Sequence, residues 1–154
     1  MQVDWLLGFC RCLFWRASDL VLSSEQTQFS LPETLWGLLP ACVMPFLIRR
    51  IGFQKAYYMT LTTQTIDANT ALAMGLVDEL TQDFSLSLQR LYLRLQRIHA
   101  ETIADLKKYF RKLWIITDDI EKTAVEELYR LTTHPRTHAN IKNYLEYQKF
   151  PWEI

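Results

Sequence analysis

Apolar and polar positions divide this chain into a front section of short extended runs and a longer helical remainder. Asp19-Leu-Val-Leu-Ser-Ser24 is β-prone, and Thr27–Leu31 continues in extended style towards Pro32, which disfavours helix just ahead of it. Gly37 and Pro40 punctuate a loop. From Cys42 to Arg50 the apolar positions Val43, Phe46, Leu47 and Ile51 recur at helical spacing, with Gly52 as a C-cap candidate. Phe53–Thr62 predicts a second helix with Ala56, Met59 and Thr60 on one side. Asp67 is a good N-cap for an Ala-rich helix closed by Gly75, and Leu76–Leu80 reads as a short strand leaving it.

Downstream the period stays helical. Leu88, Leu91, Leu95 and Ile98 form one stripe, which Ile103, Leu106, Phe110 and Leu113 continue. Val125, Leu128 and Leu131 mark a further helix ending before Pro135. Asn140–Gln148 reads as the last helix, with Ile141, Tyr144 and Leu145 on its apolar side. The expected class is α+β, mostly helical, with a few strands at the front.

Size and composition narrow the setting. The 154 residues suffice for one compact domain, and 49% apolar with 22% charged content is ordinary for a soluble globular chain. Seventeen basic and seventeen acidic residues cancel, so charge balance gives no argument for a nucleic-acid or membrane partner. The aromatic content of 13% calls for a core, a pocket or an interface to hold the rings. Cys10, Cys12 and Cys42 form neither a disulfide framework nor a metal spacing, so the default compartment is the cytoplasm. Trp5–Trp15 lacks a basic start, is interrupted by Arg11 and is too short to span a bilayer, so it reads as neither signal nor anchor.

Candidate chemistry is sparse. Glu33 lies between Leu31-Pro32 and Leu35-Trp36, and burial there would raise its pKa towards neutrality and suit it to general acid–base work. The plain alternative is a surface glutamate beside a turn proline. His134 and His138 have the spacing of a metal pair, but Pro135 lies between them and no further ligand is near. A solvated interhelix loop accounts for both. His99 falls in a charged helical stretch and reads as a surface or partly packed residue. Lys107, Lys108, Arg111 and Lys112 are either a solvated helix face or a patch for an acidic partner or phosphate.

Taken in order, three blocks resemble the crotonase (enoyl-CoA hydratase/isomerase) superfamily. Asp19–Ser24 is similar to the strand after that family's Gly-rich helix. Phe29-Ser-Leu-Pro-Glu-Thr-Leu-Trp-Gly-Leu-Leu-Pro40 is similar to F-x-x-P-E-x-x-x-G-x-x-P, the block with an acid–base glutamate. Leu47-Ile-Arg-Arg-Ile-Gly52, then Ile66-Asp-Ala-x-x-Ala-x-x-Met-Gly-Leu-Val-Asp78, is similar to R-x-x-G followed by I-x-A-x-x-A-x-x-x-G-L-V. The likeness covers roughly residues 17–154. Pro40–Ala56 and the ending Tyr147-Gln-Lys-Phe-Pro-Trp-Glu153 more finely resemble the polyketide β-branching branch.

The resemblance implies the C-terminal portion of a crotonase (ClpP/crotonase-like spiral) fold, with a core part at 17–82 and a helical, trimerising region at 83–154. It implies a hydro-lyase that dehydrates 3-hydroxy-3-methylglutaryl groups on an acyl carrier protein to 3-methylglutaconyl thioesters, with Glu33 as the acid–base residue. The substrate is then an acyl thioester on phosphopantetheine or CoA, with no metal or separate cofactor. Expected partners are the carrier protein and further copies of the chain, as a trimer or hexamer. Two alternatives stay open: a general enoyl-CoA hydratase/isomerase, and a non-catalytic assembly or carrier-docking module. Leu13 stands where typical hydratases carry a second glutamate, which the β-branching enzymes manage without.

The family's oxyanion donors fall upstream, one of them in a Gly-rich turn whose place is taken here by Cys10 and its neighbours. Activity of this chain alone is therefore expected to be severely reduced or absent. Met1-Gln-Val-Asp-Trp5 can be written ATG CAG GTG GAT TGG, which from its third base reads Ala-Gly-Gly-Leu. Residues 1–16 are accordingly expected to be a frameshifted reading of the Gly-rich segment, with the family frame restored near Ala17.

Overall fold

The computed structural model describes residues 18–113 and 117–153, and expectations resting on residues 1–17, including Cys10, Cys12 and Leu13, lie outside them. The front section folds around short strand pairs. β1 (Leu22–Ser23) pairs in parallel with β4 (Glu79–Leu80), and β2 (Gln28–Phe29) pairs antiparallel with β3 (Ile66–Asp67). Pro32–Trp36 is a 3₁₀ helix, where the sequence had suggested only a loop. Two helices follow, α1 (Met44–Ile51) and α2 (Phe53–Thr62), joined at Gly52 with φ 81° and ψ 161°, a conformation that favours glycine.

The helical period read from the sequence holds in this region. Leu47 and Ile51 of α1 are buried, and α2 buries Ala56, Met59 and Thr60 as expected. The buried Thr60 hydroxyl donates to the Ala56 carbonyl at 2.9 Å, which removes the cost of placing it in the core. Next, α3 (Ala68–Met74) opens on Asp67, whose Oδ1 accepts the Thr70 amide at 2.7 Å. It closes on left-handed Gly75.

The expected strand over Leu76–Leu80 is shorter than its sequence suggested. Leu76 and Val77 both donate their amides to the Ala71 carbonyl, at 2.8 and 3.3 Å, in a turn that seals the end of α3. Both residues are buried there, and only Glu79 and Leu80 pair as a strand. The core comprises Val21, Phe29, Leu31, Leu47, Ile51, Ala56, Met59, Ala68, Ala71, Leu76 and Val77.

The remaining elements are α4 (Phe84–Leu95), α5 (Ala100–Leu113), α6 (Asp118–Thr132) and α7 (Pro135–Tyr147). The stripe read from the sequence is broken between α4 and α5, and His99 falls in that joint. Leu88, Leu95, Ile98, Leu106, Phe110 and Leu113 form apolar faces that are open to solvent in the single chain. The last helix starts five residues earlier than expected. Pro135 occupies its first turn, where its missing N–H costs nothing, and the His134 ring accepts the Arg136 amide as N-cap.

The Thr70 amide holds the Asp67 carboxyl below its usual value of 3.8. A lowered folded pKa means this cap stabilises α3 fully above about pH 4, and the contribution is lost as acid protonates the folded carboxylate. The Thr70 amide resonance should therefore move with a midpoint below 3.8, and Asp67→Asn should remove that titration. A midpoint above 3.8 would contradict the cap.

Candidate active site

Glu33 occupies the second position of the 3₁₀ helix, after buried Leu31 and half-buried Pro32. Proline at the start of the turn presets its backbone, and Gly37 ends it in the left-handed region at φ 82°. The Gly37 amide donates to the Thr34 carbonyl and the Leu38 amide to the Glu33 carbonyl, each at 3.1 Å. Glu33 is 7% exposed and its Oε2 is sealed from solvent, so burial rather than the surface alternative describes it.

Two distant elements hold this turn. On one side the Thr34 hydroxyl donates to the Thr60 carbonyl of α2 at 2.9 Å. On the other, Asn140 Nδ2 donates to the Trp36 carbonyl and Thr137 Oγ1 to the Gly37 carbonyl, both at 3.4 Å. The Trp36 ring meets Tyr144 edge-on at 5.0 Å between centroids and Phe150 at 6.0 Å. Phe150 reaches that position because Gln148 turns the chain back with φ 54°. Phe150 also stacks on Trp152 at 4.7 Å. The aromatic ending seen in the sequence thus packs against the turn that carries Glu33.

Sequence reasoning missed this clasp. Ile141, Tyr144 and Leu145 share the apolar side read from the sequence, but Ile141 and Leu145 are exposed. The packed side is Thr137, Asn140 and Tyr144. Thr137 and Asn140 are both buried, although residues of these polar types are mostly exposed. The i, i+3, i+7 spacing of these three was the available signal.

The first turn of α7 comes so near the Glu33 turn that a Cβ on Gly37 would lie 3.3 Å from Thr137 Oγ1. Gly37→Ala combines that crowding with a left-handed backbone, and should destabilise the fold by about 1–2 kcal/mol in urea unfolding. An unchanged midpoint would contradict the close approach.

A second constellation ties α1 to the strands. The Arg50 guanidinium bonds both oxygens of Asp78, with Nη2 to Oδ2 at 2.9 Å. Asp78 Oδ2 also accepts the Val21 amide at 2.7 Å, and the Asp78 amide donates to the Val21 carbonyl at 2.9 Å. The arginine-to-glycine and Gly-Leu-Val-Asp blocks quoted from the sequence meet here, as a structural joint rather than a reacting group.

His138 lies in the first turn of α7 rather than in a loop, and is exposed. Among the described residues, no group of three or more His, Cys, Asp or Glu is placed to hold a metal. In the basic cluster Lys107 pairs with Asp19 at 2.6 Å, Lys108 with Asp105 at 3.7 Å and Arg111 with Glu121 at 3.9 Å. These exposed pairs describe a solvated face. An open groove along α4 is lined by Leu86, Gln89, Arg90, Leu93, Arg94 and Arg97, none of them in the Glu33 turn. No helix among the described residues is long and apolar enough to cross a membrane.

A family model for enoyl-CoA hydratase/isomerase matches residues 11–154, and the chain belongs to that family. It is 39% identical over 140 residues to the bacillaene synthase dehydratase PksH of Bacillus subtilis (strain 168), covering 91% of this chain and 54% of that protein. A solved structure of the polyketide biosynthesis enoyl-CoA hydratase (pksH) of Bacillus subtilis superposes with a TM-score of 0.85 at 38% identity, over 90% of this chain and 55% of that one. An enoyl-CoA hydratase/isomerase from Pseudoalteromonas atlantica T6c shares the fold, with a TM-score of 0.74 at 19% identity over 88% and 56% of the two chains. The molecule is a mostly helical, partial crotonase fold, and it spans about half the length of the relatives it matches.

Proposed function

We propose that this chain carries the acid–base half of a dehydratase acting on 3-hydroxy-3-methylglutaryl thioesters of an acyl carrier protein in polyketide β-branching. The observation that carries the reading is the buried Glu33, fixed in a turn by α2 and α7, in a chain 39% identical to a dehydratase of polyketide synthesis. Removing a proton α to a thioester builds charge on the carbonyl oxygen, and the departing β-hydroxyl needs a proton. A carboxyl group excluded from water serves either transfer, as the carboxylate that takes the α-proton or as the carboxylic acid that gives one to the leaving hydroxyl. Its substrate is the thioester on phosphopantetheine, with no further cofactor, and its setting is the cytoplasm.

The oxyanion donors that the resemblance places upstream lie outside the described residues. A chimera in which residues 18–154 follow the upstream half of the Bacillus subtilis dehydratase supplies them. With this chimera, intact-mass measurement should show loss of water from the carrier-bound substrate, faster than from the CoA thioester. Preference for the CoA thioester would favour a general enoyl-CoA hydratase instead. The full chain without the upstream half should turn over far more slowly.

A second role has its own support. Leu88, Leu95, Ile98, Leu106, Phe110 and Leu113 leave α4 and α5 with apolar surface that a homo-oligomer would bury. Sedimentation should give a trimer or hexamer, and a monomer at micromolar concentration would contradict this assembly role.

A further inference from the structure

We infer that Thr137 and Asn140 are positioning residues for Glu33, acting through the backbone of its turn. A helical turn leaves its final carbonyls without partners in the same turn, and a 3₁₀ helix of five residues has little else to hold it straight. Here the carbonyls of Trp36 and Gly37 stand at that end. The two side chains that donate to them come from α7, a hundred residues further along the chain. Thr137 is 2% exposed and Asn140 8%, so each polar group has been placed in a packed interface where only a matching acceptor justifies it.

The geometry makes the turn a short lever. At about 2.0 Å rise per residue, Trp36 and Glu33 lie roughly 6 Å apart along its axis. A tilt of the turn by some 10–20° displaces a group about 6 Å from its pivot by about 1–2 Å, and a misplacement of the Glu33 carboxylate by about 1 Å can cost two orders of magnitude in rate. Thr34 fixes the turn to α2 from the other side. The turn is therefore held between two elements, α2 and α7.

The effect on catalysis rests on the acid–base reading of Glu33, but the positioning itself can be tested without turnover. Amide hydrogen exchange of the full chain should show the Gly37 and Leu38 amides, which close the turn, exchanging about tenfold faster in Thr137→Val and in Asn140→Leu. The Gly52 amide, at the joint of α1 and α2, and the Ala56 amide of α2 should keep their protection. Thr137→Ser, which restores the hydroxyl, should return the turn amides to their original rates. Unchanged turn amides in both variants would overturn the inference. So would an equal acceleration of all four amides, since that reports a general loss of stability. In the chimera, Thr137→Val should lower kcat at least tenfold with KM within twofold. Equal loss through KM would place Thr137 in substrate binding and overturn its positioning role. A chimera that never dehydrates would count against the acid–base reading, while the exchange rates would still decide the positioning.

Discussion

Glu33→Gln in the chimera should slow dehydration of the carrier-bound substrate by about 10²–10⁴-fold, the range that a positioned acid–base group contributes. The amide keeps the shape of the carboxyl, but it exchanges an acceptor oxygen for a donating NH2 and cannot cycle a proton. Glu33 is buried, so the isosteric change should leave the turn and the unfolding transition in place, separating chemistry from stability. Glu33→Asp should retain the proton chemistry but draw the carboxylate back by one methylene, giving an intermediate loss. A Gln variant that keeps half of the original rate would remove Glu33 from the mechanism.

The largest expected effect on stability comes from the Arg50–Asp78 joint. Arg50→Met should destabilise the fold by about 2–3 kcal/mol in urea unfolding, the scale of losing charge-assisted hydrogen bonds. Arg50 is 10% exposed at its side chain and Asp78 38%, so solvent can reach the remaining carboxylate and the loss stays below that of a fully buried pair. Asp78→Ala should cost at least as much, because it also removes the acceptor of the Val21 amide. The two changes together should cost less than their sum, since they share one interaction. Additive losses would show that the two side chains act separately.

These two sites differ in how far the sequence exposed them. Ala56, Met59 and Thr60 could be assigned to the buried side of α2 because a single helix displays its own period. Asp67 and Gly75 could be assigned as caps because each role demands a particular residue type. Glu33 stood out as an acid among apolar neighbours, and the resemblance of its block supplied the rest. Its 3₁₀ helix was hidden, because one short turn between proline and glycine looks the same as a loop.

What the sequence left obscure depends on contacts between distant residues. Thr137 and Asn140 find their acceptors at Gly37 and Trp36, and no local pattern marks a buried threonine or asparagine as a donor. Arg49 and Arg50 are adjacent and of one residue type, yet Arg50 is the one that bonds Asp78. The leucine stripe of α4 and α5 was visible as a stripe, but periodicity states which residues share a face, not what covers it. Leu76 and Val77 carried strand propensity, and the closing turn of α3 claimed them instead.

The central claim is that Glu33 moves a proton in the interconversion of a 3-hydroxyacyl and an enoyl thioester on a carrier. Its most direct test runs the reaction backwards: hydration of 3-methylglutaconyl carrier protein in D2O by the chimera, followed by mass spectrometry of the returned product. With Glu33 as the proton carrier, the hydrated thioester should accumulate with one deuterium fixed at its α carbon, and Glu33→Gln should slow this accumulation by about 10²–10⁴-fold while the protein remains folded. Equal accumulation of the deuterated hydrate by the parent and by the Gln variant would contradict that role.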